Sequence, residues 1–296
     1  MTERLRHNQG LKWDVIIAGG GATGLGIALD AALRGYSTIL LERADFSSGT
    51  SSRSTKLVHG GVRYLAQGDI LLVAEALRER GLLLKNARHL TSDQEFIIPV
   101  YSLWEMFLYT AGLKFYDLLA GKLSLGKSYF IGRSSVLERV PHLKPDGLKG
   151  GVVYHDGQFD DSRLAFSIAS AAAEEGAVVL NYFNVTDLMK DPKGKISGVL
   201  ARDEESGVGY EIRGDLVINA TGVFADSILG MDSPGAARVI RPSQGVHIVL
   251  DGSFLGGNMA VMRPETDDGR VLFAIPWYGK VVTRTTDTPV DDAGPE

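Results

Sequence analysis

The sequence contains no cysteine in its 296 residues. This absence excludes disulfides, thiolate metal sites, a redox-active cysteine pair and a flavin attached through cysteine. Long hydrophobic runs are also missing. The longest uncharged stretch, residues 15–29, is shorter than a membrane span and rich in glycine, and residues 1–12 lack the apolar centre of a secretory signal. We therefore expect a cytoplasmic protein without a transmembrane helix, either free or peripheral on the cytoplasmic face of the inner membrane.

No charge of one sign dominates the chain. It carries 31 basic and 36 acidic side chains, and its net charge of −5 at pH 7 argues against a general nucleic-acid-binding protein. Apolar residues make up 44% and charged residues 23%, which are ordinary proportions for a globular chain. The length suggests about two domains. No metal site is predicted.

The first informative motif is a glycine-rich turn after an apolar segment. Residues 15–18 are apolar without alternation, as in a buried parallel strand. Gly19, Gly21 and Gly24 follow with the spacing G-x-G-x-x-G. The first permits a tight turn, the second lets the backbone approach a pyrophosphate, and the third lets the helix pack closely on the strand. The helix predicted over about 24–34 would direct its N-terminal amides at the phosphates.

An acidic residue completes this motif. A second strand is predicted over 37–41 and ends at Glu42, roughly twenty residues after the last glycine. A carboxylate at this position can accept hydrogen bonds from a ribose 2′-hydroxyl and would repel a 2′-phosphate, which disfavours NADP. The strand, turn, helix and acid together predict a dinucleotide site, and at this point both NAD and FAD are open.

A second set of elements lies downstream. Asp161 and Ser162 can cap a helix that runs through 164–175. The segments that follow have the composition of strands, namely 177–181, a β-meander of 185–189, 196–203 and 209–213, and a buried strand from Asp215 to Ala220, Thr221 and Gly222. This arrangement resembles the flavoprotein oxidoreductases with two dinucleotide motifs, the glutathione-reductase type, and the resemblance favours FAD over NAD alone. It implies that Gly222 passes close to the flavin dinucleotide and that the backbone of Val185 contacts the adenine.

A hydroxyl-rich segment follows the first dinucleotide motif. Its polar and small residues are Thr50, Ser51, Ser52, Lys56, His59, Gly60, Gly61, Arg63 and Tyr64. Hydroxyls and glycine amides suit phosphate and ribityl oxygens. A solvated serine-rich loop is the simpler interpretation of residues 47–55 taken alone, but here the run leads directly into an apolar segment with a glycine pair.

The run from Thr50 to Leu65 resembles the FAD-dependent glycerol-3-phosphate dehydrogenases. The resemblance extends to the motifs GQFDDSRL at 157–164, NATG at 219–222, QGVHIV at 244–249, IPW at 275–277 and TTDT at 285–288. It implies an α/β fold, with a Rossmann-like FAD-binding domain and an inserted antiparallel substrate domain like that of D-amino-acid oxidase. We assign residues 1–90 and 151–235 to the FAD-binding domain and residues 91–150 and 236–296 to the substrate or cap domain. The helical C-terminal domain of the family is absent from the sequence, so we expect a truncated chain.

The resemblance also implies the reaction and its residues. Glycerol 3-phosphate would be oxidised to dihydroxyacetone phosphate, with a hydride passing to the flavin and electrons then reaching a quinone. His247 matches the family's active-site histidine and would act as the base. Arg63 matches an arginine near the substrate phosphate. Tyr64 beside it would be a further donor, with a packing role as the alternative. His59 is interpreted as a residue that packs on the flavin.

Other features leave alternatives open. A glycerol-3-phosphate oxidase that uses O2 shares these motifs, and a non-catalytic FAD-binding fragment is a rival from another class. Arg284 stands where the family pattern has glycine, which puts the loop at 285–287 in doubt. Arg263 and Arg270 are interpreted as solvated surface charges. The sequence is compatible with a homodimer.

One segment suggests how the protein meets a lipid-soluble acceptor. Residues 104–119 predict a helix with one strongly apolar face, formed by Trp104, Phe107, Leu108, Ala111, Phe115, Leu118 and Leu119. Apolar residues on its other side call for a second apolar partner. A bilayer surface is the preferred interpretation, and a wholly buried helix or a covering partner chain is the alternative.

Overall fold

The computed structural model describes residues 10–266, 271–284 and 286–291, without the side chains of Ala66 and Arg284. The strands are β1 (Lys12–Ala18), β2 (Thr38–Leu41), β3 (Leu57–Val58), β4 (Thr91–Val100), β5 (Tyr129–Gly132), β6 (Gly150–Phe159), β7 (Val178–Leu180), β8 (Phe183–Lys190), β9 (Ile196–Asp203), β10 (Gly209–Asn219), β11 (Ser243–Gln244), β12 (His247–Asp251), β13 (Ala260–Arg263), β14 (Leu272–Trp277), β15 (Lys280–Arg284) and β16 (Thr288–Pro289). The helices are α1 (Ala22–Leu33), α2 (Val62–Ala66), α3 (Ile70–Asn86), α4 (Leu103–Ala120), α5 (Arg133–Arg139), α6 (Asp161–Glu174) and α7 (Ala225–Asp232).

The chain forms two compact units. Among the described residues, unit 1 comprises 10–54, 161–243 and 289–291, and unit 2 comprises 55–160, 244–266, 271–284 and 286–288.

Unit 1 contains a six-stranded sheet in the order β7-β2-β1-β10-β9-β8. Strands β7, β2, β1 and the second half of β10 run parallel, and the meander from β8 to β10 is antiparallel. On one face, Ile17 of β1 is buried with Leu25 of α1 and Ala169 of α6. On the other face, Ile16 is buried with Phe183 of β8 and Ile228 of α7, among other residues. The apolar run of β1 is therefore buried on both faces, as its lack of alternation indicates.

The structure joins two segments that the sequence analysis separated. Residues 209–213 and the strand from Asp215 form one continuous strand, β10. Its first half pairs with β9 and its second half pairs with β1. A Cβ atom at Gly214 would lie 2.8 Å from the side chain of Ile16. The predicted break was wrong because this glycine permits a close passage over β1 rather than a turn.

Unit 2 contains an eight-stranded sheet in the order β12-β15-β14-β13-β4-β6-β3, with β5 also paired to β6. The neighbours are antiparallel except β13 and β4, which run parallel. The core on one face includes Phe96 of β4 and Tyr154 of β6, whose rings stack with centroids 5.1 Å apart. A second cluster joins Val73 and Leu77 of α3 to Tyr116 of α4.

The boundaries of the units differ from those drawn on the sequence at 90, 151 and 235. Residues 55–90 and 151–160 lie in unit 2. The reason is strand pairing, because β6 is hydrogen-bonded along its whole length to β4 and at its end to β3. Because the backbone groups of β6 are hydrogen-bonded to β4 and β3, all three strands belong to the same unit.

Helix α4 presents apolar side chains on two sides, as its sequence predicts. It begins with a capping box in which Ser102 and Glu105 exchange hydrogen bonds with each other's backbone. Leu113 and Tyr116 are buried, whereas Trp104, Phe107 and Leu118 are 68%, 66% and 73% exposed. Within the described ranges, no helix combines the length and the apolar character needed to cross a bilayer.

Candidate functional site

A cavity of about 660 Å³ opens in unit 1 where β1 and β10 end. Nine residues predicted to bind the cofactor line it, namely Gly19, Gly21, Glu42, Thr50, Ser51, Val185, Ala220, Thr221 and Gly222. They come from four separate parts of the chain, so the fold brings together residues that were predicted from separate motifs.

The glycine turn after β1 depends on missing side chains. Gly19 has φ +107°, and a Cβ atom there would lie 2.5 Å from the carbonyl oxygen of Ala220. A Cβ atom at Gly24 would overlap the carbonyl oxygen of Gly19. The two strand ends and the start of α1 therefore approach one another at van der Waals distance, as the predicted roles of the first and third glycines require.

The carboxylate of Glu42 is held by the backbone. Its Oε2 accepts a hydrogen bond from the Gly20 amide at 2.6 Å, and its Oε1 accepts one from the Ala44 amide at 2.8 Å. A Cβ atom at Gly20 would lie 2.7 Å from the Cβ of Glu42, so a larger residue would displace the acid. Sequence reasoning did not single out Gly20, although it is the middle glycine of three in a row. Each carboxylate oxygen keeps a second lone pair for a ligand hydroxyl.

Hydroxyl groups surround the N-terminus of α1. The Ser51 hydroxyl accepts a hydrogen bond from the Ala22 amide at 2.9 Å, the first amide of this helix. Ser47 has φ +62° and lines the cavity, and its buried Oγ has no hydrogen-bond partner among the described atoms. Because a buried hydroxyl without a partner costs free energy, Ser47 is poised to pair with a bound group. Ser47 was not predicted, and its position depends on the fold of the loop.

One end of this cavity is apolar and aromatic. The Arg43 guanidinium carbon lies 3.9 Å from the centroid of the Phe224 ring. Ile228, Met231 and Ile240 line the cavity with them. A flat cation stacked on an aromatic ring beside aliphatic side chains suits a planar heterocycle. These residues were not predicted, because they are far apart along the chain.

The residues of the cavity fit a dinucleotide. The volume lies within the range of about 300–1,000 Å³ that is usual for small-molecule sites. The glycine turn and helix N-terminus suit a diphosphate, Glu42 suits ribose hydroxyls, and the apolar end suits a base.

Unit 2 contains a separate cavity of about 440 Å³. Four predicted site residues line it, namely His59, Gly61, Arg63 and Tyr64. Phe96, Tyr154, Asp156, Thr286 and Asp287 are among the other lining residues. The cavity therefore combines a cationic side chain, several hydroxyl groups and an aromatic floor.

The turn of residues 59–61 contains a left-handed glycine and an internal hydrogen bond. Gly61 has φ +75°, and its amide donates a hydrogen bond to His59 Nδ1 at 3.1 Å. A neutral His59 ring with an accepting Nδ1 carries its proton on Nε2. The Arg63 guanidinium carbon lies 5.3 Å from the centroid of the Tyr64 ring. Both side chains are thus presented together by the short helix α2.

The tyrosine on the floor of this cavity is neutral. Burial, and next the charge of Asp156, raise the pKa of Tyr154 well above its ordinary value. Its hydroxyl donates to Met262 Sδ at 3.2 Å.

Other predicted residues lie outside the two cavity linings. Gly24 and Ser52 belong to unit 1, and Lys56 and Gly60 belong to unit 2. His247 begins β12 opposite Arg284, with its Nε2 buried, and it does not appear among the described residues that line either cavity.

The structure describes Arg263 and part of the segment 285–287. Arg263 is exposed, and its Nε donates to the Glu265 carbonyl at 3.0 Å, in agreement with a surface charge. Thr286 accepts a hydrogen bond from the Val246 amide at 2.8 Å, which fixes it beside the start of β12. Arg270, Thr285 and the side chain of Arg284 lie outside the described residues.

Comparison with known proteins gives consistent matches. Residues 14–296 match the sequence model of the family described as "DAO: FAD dependent oxidoreductase". The human protein named glycerol-3-phosphate dehydrogenase, mitochondrial, is 47% identical over 292 residues, which cover 95% of this chain and 40% of that protein.

Two solved structures share the fold. The glycerol-3-phosphate dehydrogenase of Bacillus halodurans, complexed with FAD, superposes with a TM-score of 0.79 at 34% identity, covering 98% of this chain and 50% of that one. The L-α-glycerophosphate oxidase of Mycoplasma pneumoniae, with FAD bound, superposes with a TM-score of 0.71 at 19% identity, covering 95% of this chain and 73% of that one. The second similarity concerns the fold alone. The chain spans less than half the length of its human relative.

Proposed function

Because the chain belongs to the family of FAD-dependent oxidoreductases, we propose that it forms the cofactor- and substrate-binding part of a glycerol-3-phosphate dehydrogenase. The observation that carries the proposal is the cavity of unit 1, which the Gly19 turn, Glu42 and the Ala220–Thr221 turn line together. The similarity to proteins named glycerol-3-phosphate dehydrogenase over nearly the whole chain supports the choice of substrate.

In this proposal the adenosine diphosphate part of FAD lies in the cavity of unit 1. The amides of the Gly19–Gly21 turn and the N-terminus of α1 bind the diphosphate, with the hydroxyls of Thr50 and Ser51 as further donors. Glu42 accepts hydrogen bonds from the ribose. The adenine packs beside the stacked pair of Arg43 and Phe224, and the backbone of Val185 contacts it.

The substrate is proposed to bind through unit 2. Arg63 carries a fixed positive charge with several donors, which suits a phosphate dianion, and Tyr64 adds a hydroxyl. His247 would take the proton of the substrate hydroxyl, because an imidazole titrates near neutral pH. When bound, FAD supplies the hydride acceptor for the oxidation to dihydroxyacetone phosphate. Lys56, His59, Gly60 and Gly61 keep their predicted role beside the flavin.

The experiment uses the purified full-length protein, loaded with FAD. Anaerobic addition of glycerol 3-phosphate is expected to bleach the visible absorbance of the bound flavin, whereas glycerol is expected to leave it unchanged. Arg63→Ala is expected to raise the glycerol 3-phosphate concentration needed for bleaching by about 10- to 100-fold, because a charge-assisted contact is lost. Bleaching by glycerol at equal concentration would contradict the substrate assignment.

The same preparation distinguishes the alternatives. If the protein binds flavin but glycerol 3-phosphate does not bleach it, the protein is a non-catalytic FAD-binding module. Stoichiometric peroxide formation in air would instead assign an oxidase, and reduction of a soluble quinone without peroxide supports the dehydrogenase. Sedimentation velocity distinguishes a homodimer from a monomer.

We further propose that the outward face of α4 rests on a lipid bilayer. Trp104 and Phe107 are exposed with their rings stacked at 6.3 Å, and Leu118 extends the same apolar face. Leu71 at the start of α3 is 85% exposed and adds to the apolar surface of this unit. Aromatic and aliphatic side chains on one face of a helix suit the interface of a membrane, where a lipid-soluble quinone is available.

Vesicle binding tests this surface. The triple substitution Trp104→Ser, Phe107→Ser and Leu118→Ser is expected to lower binding to vesicles of phosphatidylethanolamine and phosphatidylglycerol by at least tenfold, because each side chain loses burial in lipid. The matched control is Leu33→Ser with Phe166→Ser, two comparably exposed apolar residues of unit 1. Equal binding of both variants would refute the assignment.

A further inference from the structure

A buried charged residue lies directly behind the turn of residues 59–61 in unit 2. Asp156 lies in β6 and is 2% exposed, and Arg80 of α3 is equally buried. The two form an ion pair with Arg80 Nη1 at 2.9 Å from Asp156 Oδ1. Burying two charges costs desolvation free energy unless further hydrogen bonds satisfy them. The other hydrogen bonds of this ion pair therefore indicate its structural role.

The carboxylate of Asp156 is shared among several elements. Its Oδ2 accepts a hydrogen bond from the hydroxyl of Tyr116 in α4 at 2.9 Å. Its Oδ1 accepts from the amides of Gly157 at 3.1 Å and Gly60 at 3.3 Å, besides Arg80. A single side chain of β6 thus connects α3 and α4 to the backbone of the turn.

The backbone of the turn packs tightly against the side chains of this network. A Cβ atom at Gly60 would overlap both the Leu77 side chain and the Tyr116 hydroxyl. Gly61 follows with φ +75°, and α2 begins at the next residue. The backbone of Gly60 therefore rests on the same hydroxyl that donates to Asp156, and the orientation of α2 follows from it.

The Tyr116 hydroxyl of this network stays protonated. Burial, followed by the charge of Asp156, raises the pKa of Tyr116 well above its ordinary value, so its hydroxyl stays a donor. An arginine is charged throughout the accessible pH range. Both Tyr116 and Arg80 therefore remain hydrogen-bond donors to Asp156.

We propose that Asp156, supported by Arg80 and Tyr116, is the positioning residue for the turn of residues 59–61 and thereby for Arg63 and Tyr64 at the cavity of unit 2. Asp156 acts through the Gly60 amide. Its role in substrate binding rests on the proposed function, whereas its hold on the turn does not.

The experiment compares Tyr116→Phe with wild type in the FAD-loaded full-length protein. The substitution removes one hydroxyl and leaves the ring in place. Hydrogen–deuterium exchange of the peptide covering residues 57–65 is expected to become about tenfold faster, while exchange in β4 stays unchanged. The KM for glycerol 3-phosphate is expected to rise about tenfold with a smaller change in kcat, because a hydrogen bond to a charged group is lost behind the binding residues.

Two further variants keep the test decisive. Tyr101→Phe is the matched control, since Tyr101 also lies in unit 2 and its hydroxyl donates to the Lys144 carbonyl at 3.2 Å, away from the turn. It is expected to leave exchange at 57–65 and KM unchanged. Asp156→Asn keeps the shape of the side chain and removes its charge, and it is expected to accelerate exchange at 57–65 more than Tyr116→Phe does.

The proposal fails if Tyr116→Phe and Asp156→Asn lower only the melting temperature while exchange at 57–65 matches that of wild type. It also fails if Tyr101→Phe accelerates exchange there to the same degree. Wild-type protein that does not oxidise glycerol 3-phosphate would overturn the proposed function, and the exchange rates would still decide the role of Asp156.

Discussion

Gly24 shows how much of the cavity in unit 1 depends on a single missing side chain. The Cβ of an alanine at this position would overlap the carbonyl oxygen of Gly19. We expect Gly24→Ala to lower the free energy of unfolding by about 1–3 kcal/mol through overpacking, and to weaken FAD binding because the turn shifts. Urea unfolding and a fluorescence titration with FAD measure both effects.

Gly26 provides the control within the same helix. A Cβ atom there meets nothing within 4 Å. Gly26→Ala is expected to raise the free energy of unfolding by about 0.5–1 kcal/mol, since alanine favours a helix interior, and to leave FAD affinity unchanged. Similar results for the two alanine variants would mean that the third glycine of the motif is not a packing requirement.

Glu42 is a second residue whose role can be isolated. Both of its carboxylate oxygens accept backbone hydrogen bonds, from Gly20 and Ala44. Glu42→Gln places an amide donor against one of these donors, so we expect a loss of about 1–3 kcal/mol in the free energy of unfolding and weaker FAD binding. Glu174→Gln, at an exposed position of the same unit, should change neither quantity. Equilibrium unfolding with and without FAD is the measurement, and an unchanged affinity of Glu42→Gln would contradict a contact between this acid and the ribose.

At the scale of elements, the ladder between β4 and β6 carries a titratable pair. His155 Nδ1 lies 2.9 Å from Asp93 Oδ2, and this hydrogen bond raises the pKa of His155 above its ordinary value. The charges of Glu95 in β4 and Asp117 in α4 act in the same direction. The folded state therefore favours the charged imidazole.

The raised pKa of His155 determines how the free energy of unfolding changes with pH. A histidine with a raised pKa contributes its full stabilisation below the ordinary value of 6.5 and loses it as the pH rises through the raised value. We expect the free energy of unfolding of wild type to fall, relative to Asp93→Asn, by a few tenths to about 1 kcal/mol as the pH rises across this window. Urea unfolding at successive pH values is the measurement. Parallel curves for the two proteins would exclude a contribution from this pair.

The elements also show where patterns succeed and where they fail. The apolar, non-alternating run of β1 correctly predicted a strand buried on both faces. The division between residues 213 and 215 failed because Gly214 resembles a turn in the sequence, yet serves the close passage of β10 over β1. A glycine that permits close packing cannot be distinguished in the sequence from a glycine that permits a turn.

At the scale of the whole molecule, cofactor binding is expected to stabilise the fold. A ligand that binds only the folded state at 100 times its Kd adds about 2.7 kcal/mol to the free energy of unfolding. We expect FAD at such a concentration to produce this shift in urea unfolding. NADP is expected to give no shift at the same concentration, because its 2′-phosphate would meet the carboxylate of Glu42. An equal shift with NADP would contradict the proposed orientation of the dinucleotide.

The α/β fold class and the use of FAD were predictable from the sequence, and the family match and the solved structures confirm both. The glycine spacing and Glu42 are local signals, because each role depends on residues only a strand or a helix away. The individual site residues stay predictions, and His247 in particular is placed by its motif alone.

The sequence by itself determined the buried strand β1, the glycine turn and the acid at the end of β2, because apolar patterning and backbone freedom are properties of neighbouring residues. The strand from Asp215 was also expected to be buried, and this was wrong, because Leu216 is 52% exposed. Only the tertiary structure decided which distant residues meet. Arg43 stacks on Phe224, and Asp156 holds the Gly60 amide together with Arg80 and Tyr116. Such contacts join side chains from separate strands and helices, and their energies arise only when the packed fold excludes water from between them.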